Sequence, residues 1–486
     1  MSTPLPENRA VFTADEVRRW TSAEIESSAS QAVFEGVVTD TRAQVQGKLF
    51  VALAGERFDA HSFIPQAAAG GAKGILMDQR ASPPVPSDVV VFKVPNPEQA
   101  LLQLGAAHRA RFSGPVVAVA GSAGKTTTRS LTSAVLEGLC PNRVHSTRGN
   151  LNNRIGVALS LLALPIDSEV MVLEIGTNTP GEVSNLTWAV RPDLGVLTLI
   201  DLEHTEGLID IDGVEAEEAA LFDFLLESGG LAIGNVDDAR VARQVGRFPA
   251  SRAIRYGTSS LADVRITQRS VLPNLTSNFV LEYGARAFRG TTSLLSPVRA
   301  LAAGAAVAVA ESLFPGQLSG EALAAALNER PPAGRGQLLE GASGEVWIDE
   351  SYNSNPASAR ACIDLGFELS QALRRQLTLV LGEMRELGRE SQGQHQILGQ
   401  YVAGARPARA VFVGGDAEFA FEAARMKGVP AEFFSTSEAA QRALAGRVGA
   451  DDLILLKGSR GVRLEALLPR EGRPVPLEPI SAKPGR

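Results

Sequence analysis

The chain has few cysteine, histidine and aromatic residues. Its 486 residues include 2 cysteines and 5 histidines, and aromatic residues make up 5% of it. Cys140 and Cys362 are too far apart in sequence to suggest a disulfide framework or a cysteine metal cluster, so we expect both to be buried packing residues. A chain of this length exceeds what one hydrophobic core usually organises, which predicts about two to four domains.

A long apolar run and an excess of positive charge are also missing. The longest apolar stretches, such as residues 300–310, are rich in alanine and too short to cross a bilayer, and residues 1–7 hold no basic stretch followed by an apolar one. We therefore expect a cytoplasmic protein without membrane insertion. With 47 basic and 54 acidic residues the net charge is −7, so nucleic acid is not an expected partner and local groups must hold any anionic substrate.

The strongest functional signal is a glycine-rich segment behind an apolar run. Residues 121–128 read Gly-Ser-Ala-Gly-Lys-Thr-Thr-Thr and follow the apolar residues 116–120. This order predicts a buried strand, a phosphate-binding loop and a helix that begins near Thr126, with Lys125 beside the β- and γ-phosphates of ATP or GTP and the Thr126 hydroxyl in a Mg²⁺ shell. Val119 replaces the first glycine of the general pattern, so an ordinary strand-to-helix turn stays an alternative. The nucleotide-binding candidates of this segment are Gly121, Ser122, Ala123, Gly124, Lys125, Thr126 and Thr127.

Alternating strand-like and helix-like segments predict an α/β fold of three domains. Residues 1–113 indicate a small α/β domain. After the Ser-Gly-Pro break at 113–115, residues 114–314 indicate a central doubly wound sheet whose last element is an alanine-rich helix over 299–313. The alternation starts again after Phe-Pro-Gly at 314–316, which predicts a Rossmann-like α/β domain over residues 315–486.

Two candidate metal ligands follow predicted strands of the central domain. Glu174 comes directly after the apolar residues 170–173, and His204 follows the strand that ends near Ile200. The carboxyl ends of parallel strands line the ligand crevice, so both side chains would face the glycine-rich loop, where nucleotide chemistry needs a metal. The alternatives are a helix-start charge for Glu174 and a structural, hydrogen-bonded role for His204.

Eight segments in order carry a resemblance to a known family: residues 38–42, 47–61, 121–128, 149–153, 174–176, 349–356, 381–388 and 456–460. They resemble the Mur ligases, the ATP-dependent amino acid and peptide ligases of cell-wall precursor synthesis. They are most similar to the branch that adds D-alanyl-D-alanine to UDP-N-acetylmuramoyl tripeptide. The resemblance covers nearly the whole chain and implies the same three-domain order.

The resemblance also implies the chemistry and the site. ATP and Mg²⁺ would be the cofactors of a monomer whose first domain binds the UDP-muramoyl peptide, whose central domain binds ATP and whose third domain binds D-alanyl-D-alanine. Phosphoryl transfer to the peptide carboxylate would give an acyl phosphate, which the dipeptide amine attacks. By resemblance, the catalytic residues are Lys125, Glu174, His204 and Arg335. Further nucleotide contacts are Arg335, Asp349, Tyr352 and Asn353, although residues 349–356 also fit a plain polar turn. The substrate contacts are Thr39, Asp40, Thr41, Arg42, Asn150, Asn152 and Asn153.

Three departures from the family pattern concern the metal and the nucleotide. Glu218 stands where the family has a carbamylated lysine, so it could supply a carboxylate to the metal directly, or lie on a solvated acidic helix face. Residues 295–299, ending in Arg299, replace the segment that holds the adenine end of ATP, and residues 198–199 replace an asparagine pair. With Glu218 the metal set is Thr126, Glu174, His204 and Glu218. The alternatives to an active cell-wall ligase are a Mur-like binding protein with weak or no ligation, and a ligase with other substrates.

Overall fold

Three main β-sheets, each built from a different stretch of the chain, organise the fold. A computed structural model describes residues 5–8, 10–26, 31–55, 58–203, 205–293, 295–469 and 472–475. The sheets have five, nine and seven strands and run largely parallel, so the predicted three-domain α/β fold is confirmed. Within the described ranges, no helix combines the length and the apolar character needed to span a membrane.

The first sheet carries the amino-terminal domain. Its elements are β1 (Val11–Thr13), α1 (Ala14–Thr21), β2 (Glu24–Ile25), β3 (Val33–Glu35), β4 (Val37–Val38), β5 (Leu49–Val51), β6 (Ala54–Gly55), β7 (Phe58–Asp59), α2 (Ile64–Ala69), β8 (Gly74–Asp78), β9 (Val90–Val94) and α3 (Pro97–Arg109). The strand order is β2-β9-β8-β5-β4, with β2 antiparallel to its neighbour.

Helix α3 joins the first domain to the second. Gly105 lies so close to the next domain that a Cβ there would be 3.1 Å from the carbonyl oxygen of Ala158. Leu101 and Leu104 are fully buried in one hydrophobic cluster with Val157 of the central domain. Because the two domains share this core, experiments on the first domain require the full chain.

The central domain holds the nine-stranded sheet. Its elements are β10 (Val116–Ala120), α4 (Lys125–Leu139), β11 (Val144–Ser146), α5 (Arg154–Leu162), β12 (Val170–Glu174), α6 (Glu182–Val190), β13 (Leu194–Leu197), α7 (Thr205–Leu208), α8 (Ile211–Ser228), β14 (Leu231–Asn235), α9 (Ala239–Val245), β15 (Ala253–Gly257), β16 (Val264–Val271), β17 (Thr276–Tyr283), β18 (Arg286–Ser293), α10 (Pro297–Leu313) and α11 (Gly320–Leu327).

The order of this sheet is β11-β12-β10-β13-β14-β15-β16-β17-β18. Strand β10 is fully buried and lies between β12 and β13, and the chain leaves it toward β11 on one side before crossing to β13 on the other. The crevice at the carboxyl end of β10 is therefore the switch point where such sheets bind ligands. The antiparallel strands β16 to β18 extend the predicted parallel sheet.

The third domain holds the seven-stranded sheet, in the order β23-β22-β21-β24-β20-β19-β25. Its elements are β19 (Gln337–Glu340), β20 (Val346–Glu350), α12 (Pro356–Leu373), β21 (Gln376–Gly382), α13 (Ser391–Gly404), β22 (Arg409–Val413), α14 (Ala417–Met426), β23 (Ala431–Phe434), α15 (Ser437–Leu444), β24 (Asp452–Lys457) and β25 (Arg473–Pro474). Short 3₁₀ helices cover Ala60–Phe63, Ala250–Arg252, Gly388–Glu390, Arg460–Val462 and Leu464–Leu467.

Two details bear on the predicted organisation. Cys140 and Cys362 are free and buried, as expected of packing residues. Helix α11 buries Leu323 and Leu327 in the same cluster as α10, so the packing of the central domain continues beyond residue 314. The domain ranges 1–113, 114–314 and 315–486 stay a prediction.

Candidate active site

The glycine-rich loop has the backbone geometry of an anion site. Gly121 has a φ of +121°, and a Cβ there would lie 2.3 Å from Thr198 Oγ1 and 2.9 Å from the carbonyl oxygen of Leu199. Gly124, with a φ of +84°, is the N-cap of α4, which begins at Lys125, one residue before the predicted start. No described side chain caps this N-terminus, so its N–H groups remain for an anionic ligand.

Lys125 brings a positive charge to this loop. Its ammonium donates hydrogen bonds to the carbonyl oxygen of Gly121 and, at 3.2 Å, to Glu203 Oε1. Burial lowers the pKa of Lys125, but the carboxylates of Glu203, Glu218 and Glu174 outweigh burial and leave the pKa raised. The side chain therefore stays charged beside the phosphate-binding loop.

Glu174 ends strand β12, and only one of its two carboxylate oxygens accepts hydrogen bonds from the described residues. Oε1 accepts hydrogen bonds from Thr126 Oγ1 at 2.9 Å and from Asn152 Nδ2 at 2.8 Å. Oε2 is buried 3.7 Å from Arg129 Nε and accepts no hydrogen bond from the described groups. Since the next helix, α6, begins only at Glu182, the interpretation of Glu174 as a helix-start charge is wrong.

Glu218 lies under the loop and not in solvent. It is fully buried, and its Oε2 accepts the Gly121 N–H at 2.6 Å while no described group donates to Oε1. The alternative of a solvated acidic helix face is therefore wrong. Burial raises the pKa of Glu218 to about 7, although Lys125 opposes that rise. The neighbouring Glu217 is also buried and accepts N–H groups of Gly181 and Val183, both at 2.7 Å.

Two carboxylate oxygens of the site are of the chemical type that binds a magnesium ion. Glu174 Oε2 and Glu218 Oε1 are buried carboxylate oxygens without a hydrogen-bond donor among the described residues, and both side chains contact the loop. Mg²⁺ prefers carboxylate, hydroxyl and water oxygens of this kind. No group of three or more His, Cys, Asp or Glu side chains in the described ranges could hold a metal, and the predicted ligand His204 lies outside those ranges.

A cavity of about 460 Å³ lies at the glycine-rich loop and is lined by residues of both the central and the third domain. The predicted site residues that line it are Ser122, Ala123, Gly124, Lys125, Thr126, Thr127, Asn150, Asn152, Asn153, Glu174, Arg335, Tyr352 and Asn353. Gly121, Asp349 and Glu218 are not in its lining. Asp349 accepts N–H groups of Gly334 and Ser351, both at 3.1 Å, and so holds the turn that carries Tyr352.

Two arginines contact Tyr352 at the third-domain side. The guanidinium carbon of Arg335 lies 4.0 Å from the centre of the Tyr352 ring, and that of Arg460 lies 5.3 Å from it. Arg299, which ends the segment that departs from the family pattern at residues 295–299, also lines the cavity. Its Nη2 donates to the carbonyl oxygen of Leu327 at 2.7 Å. Arg335 and Arg299 therefore bring positive charge to the lining of the cavity.

The third domain docks directly on the loop. Asn355 Nδ2 donates to the carbonyl oxygen of Ser122 at 3.2 Å. Ser122 Oγ accepts the N–H of Asp201 at 3.0 Å, and the Asp201 carboxylate pairs with Arg360 of α12 at 2.9 Å. These polar contacts therefore connect the glycine-rich loop of the central domain to the third domain.

The predicted first-domain residues gather at a different place. Thr39 and Asp40 line a separate cavity of about 300 Å³, together with Asn8 and Lys48. Arg42 does not line it but donates hydrogen bonds to Asp40 from its backbone N–H at 2.9 Å and from its guanidinium, the shortest of them from Nη2 to Oδ2 at 2.6 Å. Thr41 is also outside the lining.

Comparison with known proteins decides the family. The family model "Mur ligase middle domain" matches residues 119–310, and "Mur ligase, glutamate ligase domain" matches residues 334–460. The UDP-N-acetylmuramoyl-tripeptide–D-alanyl-D-alanine ligase of Bacillus subtilis is 31% identical over 90% of this chain and 93% of its own. The chain belongs to the Mur ligase family. The Escherichia coli ligase of the same name is 31% identical over 91% of this chain and 95% of its own.

Solved structures of Mur ligases have the same architecture. A crystal structure of MurF from Acinetobacter baumannii matches with a TM-score of 0.82 at 28% identity, covering 96% of this chain and 98% of that one. MurF ligase from Thermotoga maritima in complex with ADP matches with a TM-score of 0.78 at 25% identity, covering 89% and 96%. The family predicted from the motifs is therefore confirmed.

Sequence reasoning missed several charged residues of this Mur ligase site. Glu203 and Lys457 line the cavity, and Lys457 Nζ donates to the carbonyl oxygen of Asn353 at 2.7 Å. Lys457 ends the buried strand β24, so the strand-end rule that singled out Glu174 could have found it. Glu350 ends strand β20 and also lines the cavity.

Proposed function

We propose that this Mur ligase joins D-alanyl-D-alanine to UDP-N-acetylmuramoyl tripeptide, using ATP and Mg²⁺. The observation that carries the proposal is the cavity in which the glycine-rich loop, Lys125 and the Glu174 carboxylate face the third domain. Relatives at 31% identity are named for this reaction, and the similar MurF ligase from Thermotoga maritima was solved in complex with ADP. With these substrates the enzyme would act in the cytoplasm, and a monomer stays the prediction.

The loop and Lys125 would stabilise the phosphoryl group during transfer. A carboxylate oxygen of the tripeptide attacks the γ-phosphorus, and the bond from that phosphorus to ADP breaks. The dipeptide amine then attacks the acyl carbon, loses a proton, and displaces inorganic phosphate as the C–O bond breaks. Such chemistry depends on positioning and charge neutralisation, which the α4 N–H groups, Lys125 and Arg335 would provide.

Magnesium has defined candidate ligands in this site. When bound, the ion would neutralise charge on the phosphate oxygens. Thr126 Oγ1, Glu174 Oε2 and Glu218 Oε1 are the proposed protein ligands, with His204 added from the family resemblance. Glu218 would take the place of the carbamate, since it already carries a carboxylate.

The remaining predicted residues would hold the two ends of the UDP-peptide. Thr39 and Asp40 would contact its nucleotide end in the first-domain cavity, and Arg42 would orient Asp40. Three asparagines that line the nucleotide cavity would contact its peptide end: Asn150, Asn152 and Asn153. Tyr352, Asn353 and, through its turn, Asp349 would form the third-domain side of the ATP site.

Release of inorganic phosphate from ATP tests the proposal. We expect release to require Mg²⁺, UDP-N-acetylmuramoyl tripeptide and D-alanyl-D-alanine together, with one UDP-pentapeptide formed per phosphate. ATP binding without any UDP-pentapeptide would instead identify a Mur-like binding protein. Product formation with a different acceptor or amine would identify a ligase with other substrates.

We predict that Arg42→Leu weakens binding of the UDP-peptide, because Asp40 loses its orientation and the cavity loses a nearby positive charge. The KM for the UDP-peptide should rise about threefold to tenfold, while the KM for ATP stays unchanged. Arg80→Leu is a matched control, since Arg80 is an exposed arginine of the same domain that pairs with Asp78 at 2.7 Å. Equal effects of the two substitutions on steady-state kinetics would move the nucleotide end of the substrate to another site.

A further inference from the structure

Arg129 is a buried cation next to the nucleotide cavity. It lies on helix α4, about one turn after Lys125, and its side chain is only 10% exposed. It is not among the residues that line the cavity, and its Nη2 donates to the carbonyl oxygen of Gly149 at 3.1 Å. Because burying an uncompensated charge is costly, this guanidinium requires an anion nearby.

The anion is the carboxylate of Glu174, at the end of strand β12. Arg129 Nε lies 3.7 Å from Glu174 Oε2, and the Glu174 side chain is 2% exposed. Neither of these atoms makes a hydrogen bond to a described group. The opposite charges therefore attract each other at a distance just beyond hydrogen bonding, and Oε2 keeps its capacity to bind a cation.

The orientation of the Glu174 carboxylate does not depend on Arg129. Its Oε1 accepts hydrogen bonds from Thr126 Oγ1 at 2.9 Å and from Asn152 Nδ2 at 2.8 Å. The backbone N–H of Glu174 donates to Thr147 Oγ1 at 2.9 Å. Removing the guanidinium would leave these bonds in place. Arg129 therefore affects Glu174 through its positive charge, which opposes any cation that binds Oε2.

We infer that Arg129 keeps the magnesium affinity of Glu174 low, so that the ion enters the site together with the nucleotide. Without nucleotide, the guanidinium already balances the carboxylate, and a divalent ion at Oε2 would add positive charge to a buried pair. The phosphates of a nucleotide at the α4 N-terminus supply the negative charge that a second cation requires. The inference rests on the proposed function, which includes Glu174 among the magnesium ligands. Arg129 acts through Glu174 and is not a catalytic residue.

Binding of Mn²⁺ to the nucleotide-free, full-length enzyme tests the inference. The electron paramagnetic resonance signal of unbound Mn²⁺ reports the affinity directly and needs no ligation. We expect Arg129→Gln to bind Mn²⁺ about fivefold to tenfold more tightly than the unmodified enzyme, because the repelling charge is gone. Arg129→Lys keeps the positive charge, so its affinity should stay within about twofold of the unmodified value.

Two further variants make the result specific. Adding Glu174→Gln to Arg129→Gln should remove the gain in affinity, which would locate the gain at the Glu174 carboxylate. Arg143→Gln neutralises an exposed arginine beyond the end of α4 that pairs with Glu169. This control should leave Mn²⁺ binding unchanged.

Unchanged Mn²⁺ affinity in a folded Arg129→Gln enzyme would overturn the inference, even if the variant melts at a lower temperature, since that result indicates a purely structural role. If Arg129→Gln does not fold, Arg129→Lys decides, and a clear change in its Mn²⁺ affinity would overturn the inference. The proposed function is tested separately. If the unmodified enzyme forms no pentapeptide, that function fails. If pentapeptide forms but Arg129→Gln binds Mn²⁺ no more tightly, only the role of Arg129 is wrong.

Discussion

Lys125→Ala lowers the rate of ligation by roughly 10²-fold or more, because the loop then lacks the cation that neutralises the transferring phosphoryl group. Lys125 is the charged side chain of the loop that bonds to Gly121 and Glu203. Its removal also takes away the positive charge that balances the buried carboxylates of Glu203 and Glu218. We therefore expect some loss of stability to accompany the loss of rate. Initial rates of pentapeptide formation, taken at a temperature where the variant is folded, measure the effect.

Lys427→Ala serves as the control for Lys125→Ala. Lys427 is an exposed lysine directly after α14, away from the glycine-rich loop. It should ligate at the unmodified rate and melt at nearly the same temperature. A folded Lys125→Ala enzyme that ligates at a near normal rate would show that the phosphates bind elsewhere.

Glu218→Gln raises the Mg²⁺ concentration for half-maximal rate by roughly tenfold, because it removes a buried negative charge from the proposed metal set. The substitution keeps the size of the side chain, and its amide oxygen can still accept the Gly121 N–H. Activity of the unmodified enzyme should be insensitive to removal of dissolved bicarbonate, since Glu218 needs no carbamylation. A magnesium titration at saturating ATP and UDP-peptide measures the first effect, and initial rates with and without bicarbonate measure the second.

The neighbouring Glu217 is unsuitable as a control because it holds two backbone N–H groups. Asp223→Asn is better, since Asp223 is an acid of the same helix that pairs with Arg247 at the surface. We expect this change to leave the magnesium dependence alone and to alter stability by less than about 0.5 kcal/mol. Superimposable magnesium titrations for Glu218→Gln and Asp223→Asn would remove Glu218 from the metal site.

Much of the central site could be predicted from local sequence patterns. A buried apolar run followed by glycines, lysine and threonine predicts the strand, loop and helix of residues 116–139, because each of those steps depends on near neighbours in the chain. The strand-end rule likewise predicts the position of Glu174, which ends β12 and contacts Thr126. The helix α4 begins one residue earlier than expected, at Lys125.

Local sequence patterns could not predict the contacts between segments that are far apart in the chain. Glu218 is an acidic residue in an acidic run, and its burial depends on helix α8 lying under Gly121, 97 residues away in sequence. The contact between Ser122 and Asn355 joins positions 233 residues apart. Nothing in the periodicity of either segment records such a distance, so these contacts between distant segments could not be predicted from the sequence.

Oxygen-18 transfer tests the central claim most directly. The enzyme is given UDP-N-acetylmuramoyl tripeptide with oxygen-18 in the carboxylate that becomes the new amide, together with ATP, Mg²⁺ and D-alanyl-D-alanine. If ligation proceeds through an acyl phosphate, mass spectrometry will find UDP-pentapeptide and inorganic phosphate that carries one labelled oxygen per turnover. Unlabelled phosphate alongside the product, or no product from an enzyme that binds ATP, would contradict the account.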